Sequence, residues 1–408
     1  MNIVQMHTAI DVGVNHLNSN SYRKIPKEVK DSLISNISIE FILKAVNDIG
    51  SSLLMPSTRD EMKAISTNLR TLYTNIDLPK LPDEDFTDGN FATFEIPSFT
   101  TGSITSGLIR HQTRYRFITV GSTDWTGIFP GSPSNGDEVV SNLSILDSTS
   151  GDISIIEGVT YKVIQKGTYS NWESIGYSTN EIRKGVVIKA TTNDTILSGT
   201  NVKLQPLTAF PTWVSSELYM IDNYNMLAYQ SINATISLRE FSKGRVKIGS
   251  YLIVDAQSGD DFTSIGGTSI STTGDIITCA SETNVNFTNG SKIAKIIYVP
   301  CLITTKELSA NLQLNDSYTS STAPLAVISN NEIYIYHSEH FKIRNANLTY
   351  IRTPRRVNLD YGISSDINEV THPSIIDAVV SRIIANVKGE NYQAVKTEQS
   401  VEQKTHRL

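Results

Sequence analysis

Three stretches of this chain repeat one pattern, and that recurrence limits the fold more than any other feature. The first reads Tyr115-Arg-Phe-Ile-Thr-Val-Gly121-Ser-Thr-Asp124-Trp125-Thr-Gly-Ile128. The second runs Tyr161-Lys-Val-Ile-Gln-Lys-Gly167, then Asn171-Trp172-Glu-Ser-Ile175-Gly176. The third runs Tyr251-Leu-Ile-Val-Asp255, then Gly259-Asp-Asp261-Phe262-Thr-Ser-Ile265-Gly266. Tyrosine and second aromatic lie 10, 11 and 11 residues apart, and each aromatic follows Asp or Asn. A glycine opening another strand-like run follows the aromatic by 11, 13 and 12 residues, at Gly136, Gly185 and Gly274. The first copy has no counterpart of Gly158 and Gly249, which precede the tyrosine in the others, and its Ile128-Phe129 replaces Ile-Gly.

The pattern has a simple physical meaning. Tyr-x-Φ-Φ is a short strand, and the Asp or Asn side chain bonds the local backbone in a turn while the next aromatic packs inward. The last glycine leads a second hairpin strand. Each unit, roughly 40–50 residues, is then a small antiparallel module.

The flanks read differently. Residues 1–24 are polar with scattered aliphatics and read as a flexible arm. Residues 25–77 read as a helical hairpin. Its first helix opens near Pro26, carries Val29, Leu33, Ile37, Phe41 and Ala45 at every fourth position, and stops at Gly50. The second opens at Pro56-Ser57-Thr58, with Met62, Ile65, Leu69 and Leu72 on its apolar face. The prolines of Leu78-Pro-Lys-Leu-Pro82 make 78–110 a linker that leads into a host β domain. Alternation over Phe91–Ile96 marks its first strand. Two tandem modules fill 111–204, and the host continues over 205–243. A third module takes 244–295, and the host ends over 296–362 with the strands Ile296–Pro300 and Ile333–Tyr336. A C-terminal helix and polar tail complete 363–408. Ile375, Ile376, Val379, Ile383 and Val387 share one face of that helix, and Gly389 ends it. The expected class is mainly β with α: terminal helices around a β-rich host domain carrying three small inserted antiparallel β modules.

Composition removes several functions. Of 408 residues only 19% are charged and 39% are hydrophobic, so cores can fill and wholesale disorder is excluded. A net charge of -6 is the wrong sign for a nucleic-acid binder that works through its whole surface. Cys279 and Cys301 exclude a disulfide-dense scaffold and read as two reduced, buried thiols. The first 20 residues lack the basic and apolar regions of a signal peptide, and no apolar stretch is long enough to span a membrane.

The candidate chemistry is sparse. Trp125, Trp172 and Phe262 serve either as repeat cores or as glycan platforms, where repetition would supply avidity. Arg352-Thr-Pro-Arg355-Arg356 is the densest basic cluster, either a solvated loop or a contact for phosphate or an acidic neighbouring subunit. His337-Ser-Glu-His340 could share a metal on a helix, but it follows a strand and has no third ligand, so a loop pair is expected. Asp83-Glu84-Asp85, Asp137-Glu138 and Asp260-Asp261 are adjacent carboxylates in turns, not a pair facing across a cleft. No nucleotide-binding loop, metalloprotease motif or nucleophile elbow occurs, and no catalytic, cofactor or metal residue is assigned.

The repeat pattern resembles small β modules of tailed-bacteriophage virion proteins. The run from Tyr350-Ile-Arg-Thr-Pro-Arg-Arg-Val-Asn-Leu-Asp360 through Glu369-Val-Thr-His-Pro-Ser-Ile-Ile-Asp-Ala-Val-Val380 is similar to the tail end of ring-forming proteins in crAss-like phages. Together these cover about half the chain. The resemblance implies a non-catalytic structural subunit of the neck or tail barrel, a head–tail connector built as a closed ring of about twelve copies. It implies no cofactor, and Arg352, Arg355 and Arg356 as an interface cluster. The implied partners are copies of the chain itself and neighbouring portal, neck or tail ring proteins. Genomic DNA would pass without specific binding, and the protein would not insert in a membrane. It would reside in the virion after synthesis in the bacterial host cytoplasm. A tail-associated adhesin whose modules bind host glycans is the alternative, and a polysaccharide-degrading enzyme is a third reading.

Overall fold

The computed structural model describes residues 1–17, 25–52, 69–82, 91–97, 102–179, 181–222, 224–268, 271–304, 321–338 and 340–388. The fold is mixed, with helices at the two ends of the chain and a β-rich stretch of several sheets between them. The chain divides into two compact units. Unit 1 comprises 1–74, 221–228 and 350–408, and unit 2 comprises 75–220 and 229–349.

Unit 1 holds the helices α1 (Ile3–Leu17), α2 (Lys27–Ser52) and α3 (His372–Lys388). The segment expected to be a flexible arm is therefore a helix over most of its length. Two local signals explain it. Asn2 Oδ1 accepts from the Gln5 backbone N–H at 2.9 Å, and Gln5 Oε1 accepts from the Asn2 N–H, a reciprocal cap. Ile3, Met6, Ile10 and Val14 then recur at helical spacing and are all buried.

Helix α2 begins just after Pro26, as expected, but runs through Gly50 to Ser52. Its buried hydrophobic residues are Ile34, Ile37 and Ile42, while Val29 of the expected stripe is exposed. The second helix of the expected hairpin falls largely outside the described residues. Leu69 and Leu72 are buried there, and 73–77, also assigned to the hairpin, belong to a strand, β1 (Tyr73–Leu78). Helix α3 ends at the residue before Gly389 and buries Ile375, Ile376, Val379, Val380, Ile383 and Ile384 against the residues of α1 and α2. Polar pairs fix the helices to one another. His7 Nε2 meets Asp31 Oδ1 at 2.8 Å, Lys30 Nζ donates to Asp11 at 2.6 and 2.7 Å, and Arg382 grips Glu40 with both nitrogens at 2.8 and 2.9 Å.

His372, in the first turn of α3, is 1% exposed, and its Nε2 lies 3.1 Å from the Ile367 carbonyl. Burial first, and then the N-terminal ammonium, hold its pKa below the ordinary 6.5. The unfolded chain therefore takes up the proton first. Unit 1 should be fully stable above 6.5 and lose stability as pH falls through that value toward the lower folded pKa. Urea midpoints followed by helical ellipticity should drop between pH 7 and 5, and a His372→Asn variant should flatten that drop.

Unit 2 contains the repeat, and its three copies share one strand plan. The first is built from β4 (Ile109–Arg110), β5 (Arg114–Thr119), β6 (Glu138–Val140), β13 (Thr208–Ala209) and β14 (Glu217–Met220). The second is built from β8 (Ile153–Ile155), β9 (Thr160–Gln165), β10 (Val187–Lys189), β11 (Asp194–Ile196) and β12 (Lys203–Pro206). The third is built from β16 (Lys243–Val246), β17 (Gly249–Asp255), β18 (Ile276–Cys279), β19 (Thr283–Asn286) and β20 (Lys292–Pro300). In each, the first strand pairs antiparallel with the fourth. The second strand pairs with both the third and the fifth. The second-to-fifth ladder slips by one residue at the same place each time, at Ile118, Ile164 and Val254, three residues after the tyrosine. A bulge kept in all three copies is a shared device that bends the strand.

The copies are not tandem insertions, however. The fourth and fifth strands of the first copy follow the whole of the second, so residues 111–204 are one module nested inside another. Residues 208–220, assigned to the host, complete the first module. The third is not a separate insertion either: β20 pairs with β17 over Lys292–Lys295 and then with β15 (Met226–Leu238) over Ile296–Pro300. Strand β24 (Phe341–Arg352) lies between β1 and β15 in this six-stranded sheet.

The expected linker is tied down by backbone pairing. Lys80 N donates to Val187 O at 2.8 Å, and Leu81 N to Thr93 O at 2.9 Å. The expected strand at Phe91–Ile96 is β2 (Phe91–Glu95). It pairs with β23 (Glu332–Tyr336), which adjoins β22 (Leu325–Ser329), and β22 pairs in parallel with β21 (Leu302–Thr304). Short β3 (Gly102–Ile104) and β7 (Leu146–Asp147) edge the sheets of the first and second modules. Both cysteines are free, Cys279 buried and Cys301 half-buried.

Candidate functional site

The repeat aromatics come first, because a glycan platform needs them at the surface. Trp125, Trp172 and Phe262 are 5%, 0% and 2% exposed. Each sits after the second strand at a tight turn, and turn chemistry delivers it inward. Asp124 and Asp261 accept from the backbone N–H of Thr126 and Thr263 at 2.9 and 2.8 Å. These bonds hold both carboxyls below their ordinary pKa: for Asp124 the Thr126 backbone first, for Asp261 the Thr263 hydroxyl first. The aromatics then pack edge-on: Trp125 on Phe117, Phe129 and Trp213, and Trp172 on Tyr169. In the first copy Phe129, not Ile128, fills the place that Ile175 and Ile265 take in the others. The repeat tyrosines all tie down the preceding loop in the same way. The hydroxyls of Tyr115, Tyr161 and Tyr251 accept the N–H of Arg110, Ile156 and Lys247 at 2.9 to 3.0 Å.

In the first two copies one backbone position admits only glycine. Gly121 and Gly167 both have φ of +62°, and a Cβ there would lie 2.3 Å from the Val214 carbonyl and 2.0 Å from that of Thr200. Those carbonyls belong to the turn between fourth and fifth strands, so the glycine lets two loops of one module touch.

The basic run divides in unit 1. Arg352 Nη1 lies 2.6 Å from Asp366 Oδ2, with both side chains close to a tenth exposed. Arg355 Nη2 lies 2.5 Å from Asp222, and its backbone N–H donates to Asp366 at 3.0 Å. These two arginines are internal ties, and only Arg356 is exposed. The acidic pairs are likewise committed: Asp260 accepts the N–H groups of Asn289 and Ser291 at 3.1 Å, and Asp137 that of Ser134 at 2.8 Å. The trio 83–85 lies outside the described residues. His337 is half-buried and His340 exposed, and among the described residues no three His, Cys, Asp or Glu side chains could hold a metal.

Among the described residues two concave places of unit 2 stand out beside a third, of about 200 Å³, that shares Lys342 and Arg344 with the smaller of them and also holds Glu240; none is legible as a whole from a local motif. One is an open cleft of about 520 Å³ between the second and third modules, bordered by the loops 166–170 and 256–260. The other is smaller, about 160 Å³, and is lined by Lys80, Glu181, Arg183, His337, Lys342 and Arg344. Its signal was the alternation Phe341-Lys-Ile-Arg344, which puts Lys342 and Arg344 on one strand face while Phe341 and Ile343 are buried. Lys80 and Arg183 are remote in sequence, so nothing local announces their company.

No protein-family model matches the chain, and no curated protein matches it either.

Proposed function

We propose that this chain is a structural subunit of a multimeric ring in the neck or tail of a tailed bacteriophage, connecting head to tail and forming part of the DNA conduit. The observation that carries the scaffold part of this reading is the inward commitment of Trp125, Trp172 and Phe262. The repeated positions build modules and do not face a ligand. The step from scaffold to ring rests on the resemblance of residues 350–380 to ring-forming virion proteins. The subunit works without catalysis or cofactor. Its partners are copies of itself, about twelve in a closed heterologous ring, together with portal, neck or tail neighbours. It is made in the host cytoplasm and ends in the virion, where genomic DNA passes it without specific binding. Among the described residues no helix is long and apolar enough to cross a membrane.

The test is the mass of the purified protein in solution, followed by negative-stain images. The expected result is closed rings of uniform copy number. A stable trimer would instead favour the adhesin reading, which the open cleft between the second and third modules supports. In that case soluble glycans should perturb the half-buried Tyr169 at the cleft and leave the emission of buried Trp172 unchanged.

A further inference from the structure

The cleft beside β24 concentrates positive charge in a chain whose net charge is -6. Four cationic side chains line it, Lys80, Arg183, Lys342 and Arg344, with one carboxylate, Glu181. That carboxylate is engaged: it lies 2.7 Å from Lys80 Nζ, and its other oxygen accepts the Ser178 N–H at 2.9 Å. The charge of Glu240 also reaches both arginines, although Glu240 lies 3.6 Å from Lys292 as well.

The two arginines are placed with care. Arg344 Nε donates to Ser237 Oγ at 2.7 Å, which fixes the plane of its guanidinium. Arg183 is only 7% exposed. Burial, and then the charge of Arg183, push the Arg344 pKa down to about 9. His337 is also pushed below its ordinary value, by burial and then by Lys342, Lys80 and Arg344. Arg344 thus feels Arg183, and His337 feels Lys342, Lys80 and Arg344; this excess of positive charge favours an anion.

We propose that this cleft binds a small tetrahedral oxyanion of the phosphate class, held between the Arg183 and Arg344 guanidinium groups with Lys80 and Lys342 at its rim. Planar guanidinium forks match the oxygen edges of a phosphate. A volume of about 160 Å³ takes one such group and excludes a duplex backbone. The site is independent of what the chain assembles into. Free phosphate and the terminal phosphate of a nucleoside monophosphate offer the same oxygens.

The experiment titrates the full-length protein with inorganic phosphate at pH 7, holding ionic strength constant with sodium chloride. Thermal unfolding and the His337 imidazole resonance are both followed. The unfolding temperature should rise saturably with phosphate but not with chloride, and the His337 pKa should rise as the anion binds. Arg344→Gln should weaken phosphate binding about tenfold or more, the loss of charged hydrogen bonds. Arg183→Met should abolish the phosphate response, with the far-ultraviolet dichroism of the parent retained as the check that the variant folds. Arg245→Gln, at an exposed pair with Glu282 elsewhere in the unit, should bind phosphate as the parent does. Adenosine monophosphate as a parallel titrant separates the sources: tighter binding than free phosphate assigns a nucleotide, and equal or weaker binding assigns the free ion. A parent protein with no saturable phosphate-specific shift would overturn the proposal. So would Arg183→Met and Arg344→Gln variants that both respond like the parent.

Discussion

Replacing Trp172 by alanine should cost about 3–5 kcal/mol and melt the second module before the rest of unit 2. The side chain is fully buried, touches Tyr169 edge-on at 5.3 Å between ring centres, and sits in a core with Tyr161, Val163, Ile175, Ile188 and Leu204. A module of this size has few other large side chains to share the loss. Trp172→Phe should cost far less. The third module already carries Phe262 at that position, and the Trp172 indole N–H has no hydrogen-bond partner to forfeit. Urea unfolding of the two variants, followed by far-ultraviolet dichroism, checks the contrast. Similar losses for Ala and Phe would mean that the ring does not organise the module.

Asp366→Ala should be nearly as damaging, and to the other unit. Asp366 receives Arg352 at 2.6 Å and the Arg355 backbone N–H at 3.0 Å, and its side chain is only 9% exposed. Removing it leaves a nearly buried guanidinium without its carboxylate, which typically costs about 3–5 kcal/mol. Asp366→Asn should cost less, because the amide oxygen can still accept one of those bonds. Among the described residues all three α-helices belong to unit 1, so helical ellipticity reads this unit directly. A loss below about 1 kcal/mol, the range of an exposed ion pair, would show that the cluster stays solvated.

The parts of this molecule that were readable in the sequence are those whose signal is local. The tyrosine-to-aromatic spacing carries the module because both residues and the turn between them lie within a dozen positions. Helix α3 was readable because its apolar stripe and its capping segment are contiguous. The nesting was not readable. The partner of Ile109–Arg110 is Thr208–Ala209, and only space joins them. Helix α1 was hidden because the exposed Val4 and Val12 blur the stripe of Ile3, Met6, Ile10 and Val14, and because its cap, formed by Asn2 with Gln5, differs from the Ser/Thr–Glu form. The basic run at 352–356 was visible as charge, but its meaning lay in Asp222 and Asp366, which bear no mark of that pairing. The cleft of Arg183 and Arg344 was invisible for the same reason: it is assembled from four separate segments of unit 2.

The nested modules also fix an order of events during synthesis. When the ribosome has released β6, the first module still lacks two of its five strands, and it must wait for the second to emerge. The strand ladders of the second module all lie within 146–206, and Lys80, which adds a bridge to β10, precedes it in the chain. Its entry and exit are themselves paired, Leu146 with Leu204 and Asp147 with Lys203. Once it has formed, a long excursion becomes a short one, and β13 and β14 are delivered beside strands already waiting. The entropy of closing that loop is thereby met early and locally. The inner module acts as a built-in clasp for the outer one, so damage to the inner core is inherited by a module that does not contain the damaged residue.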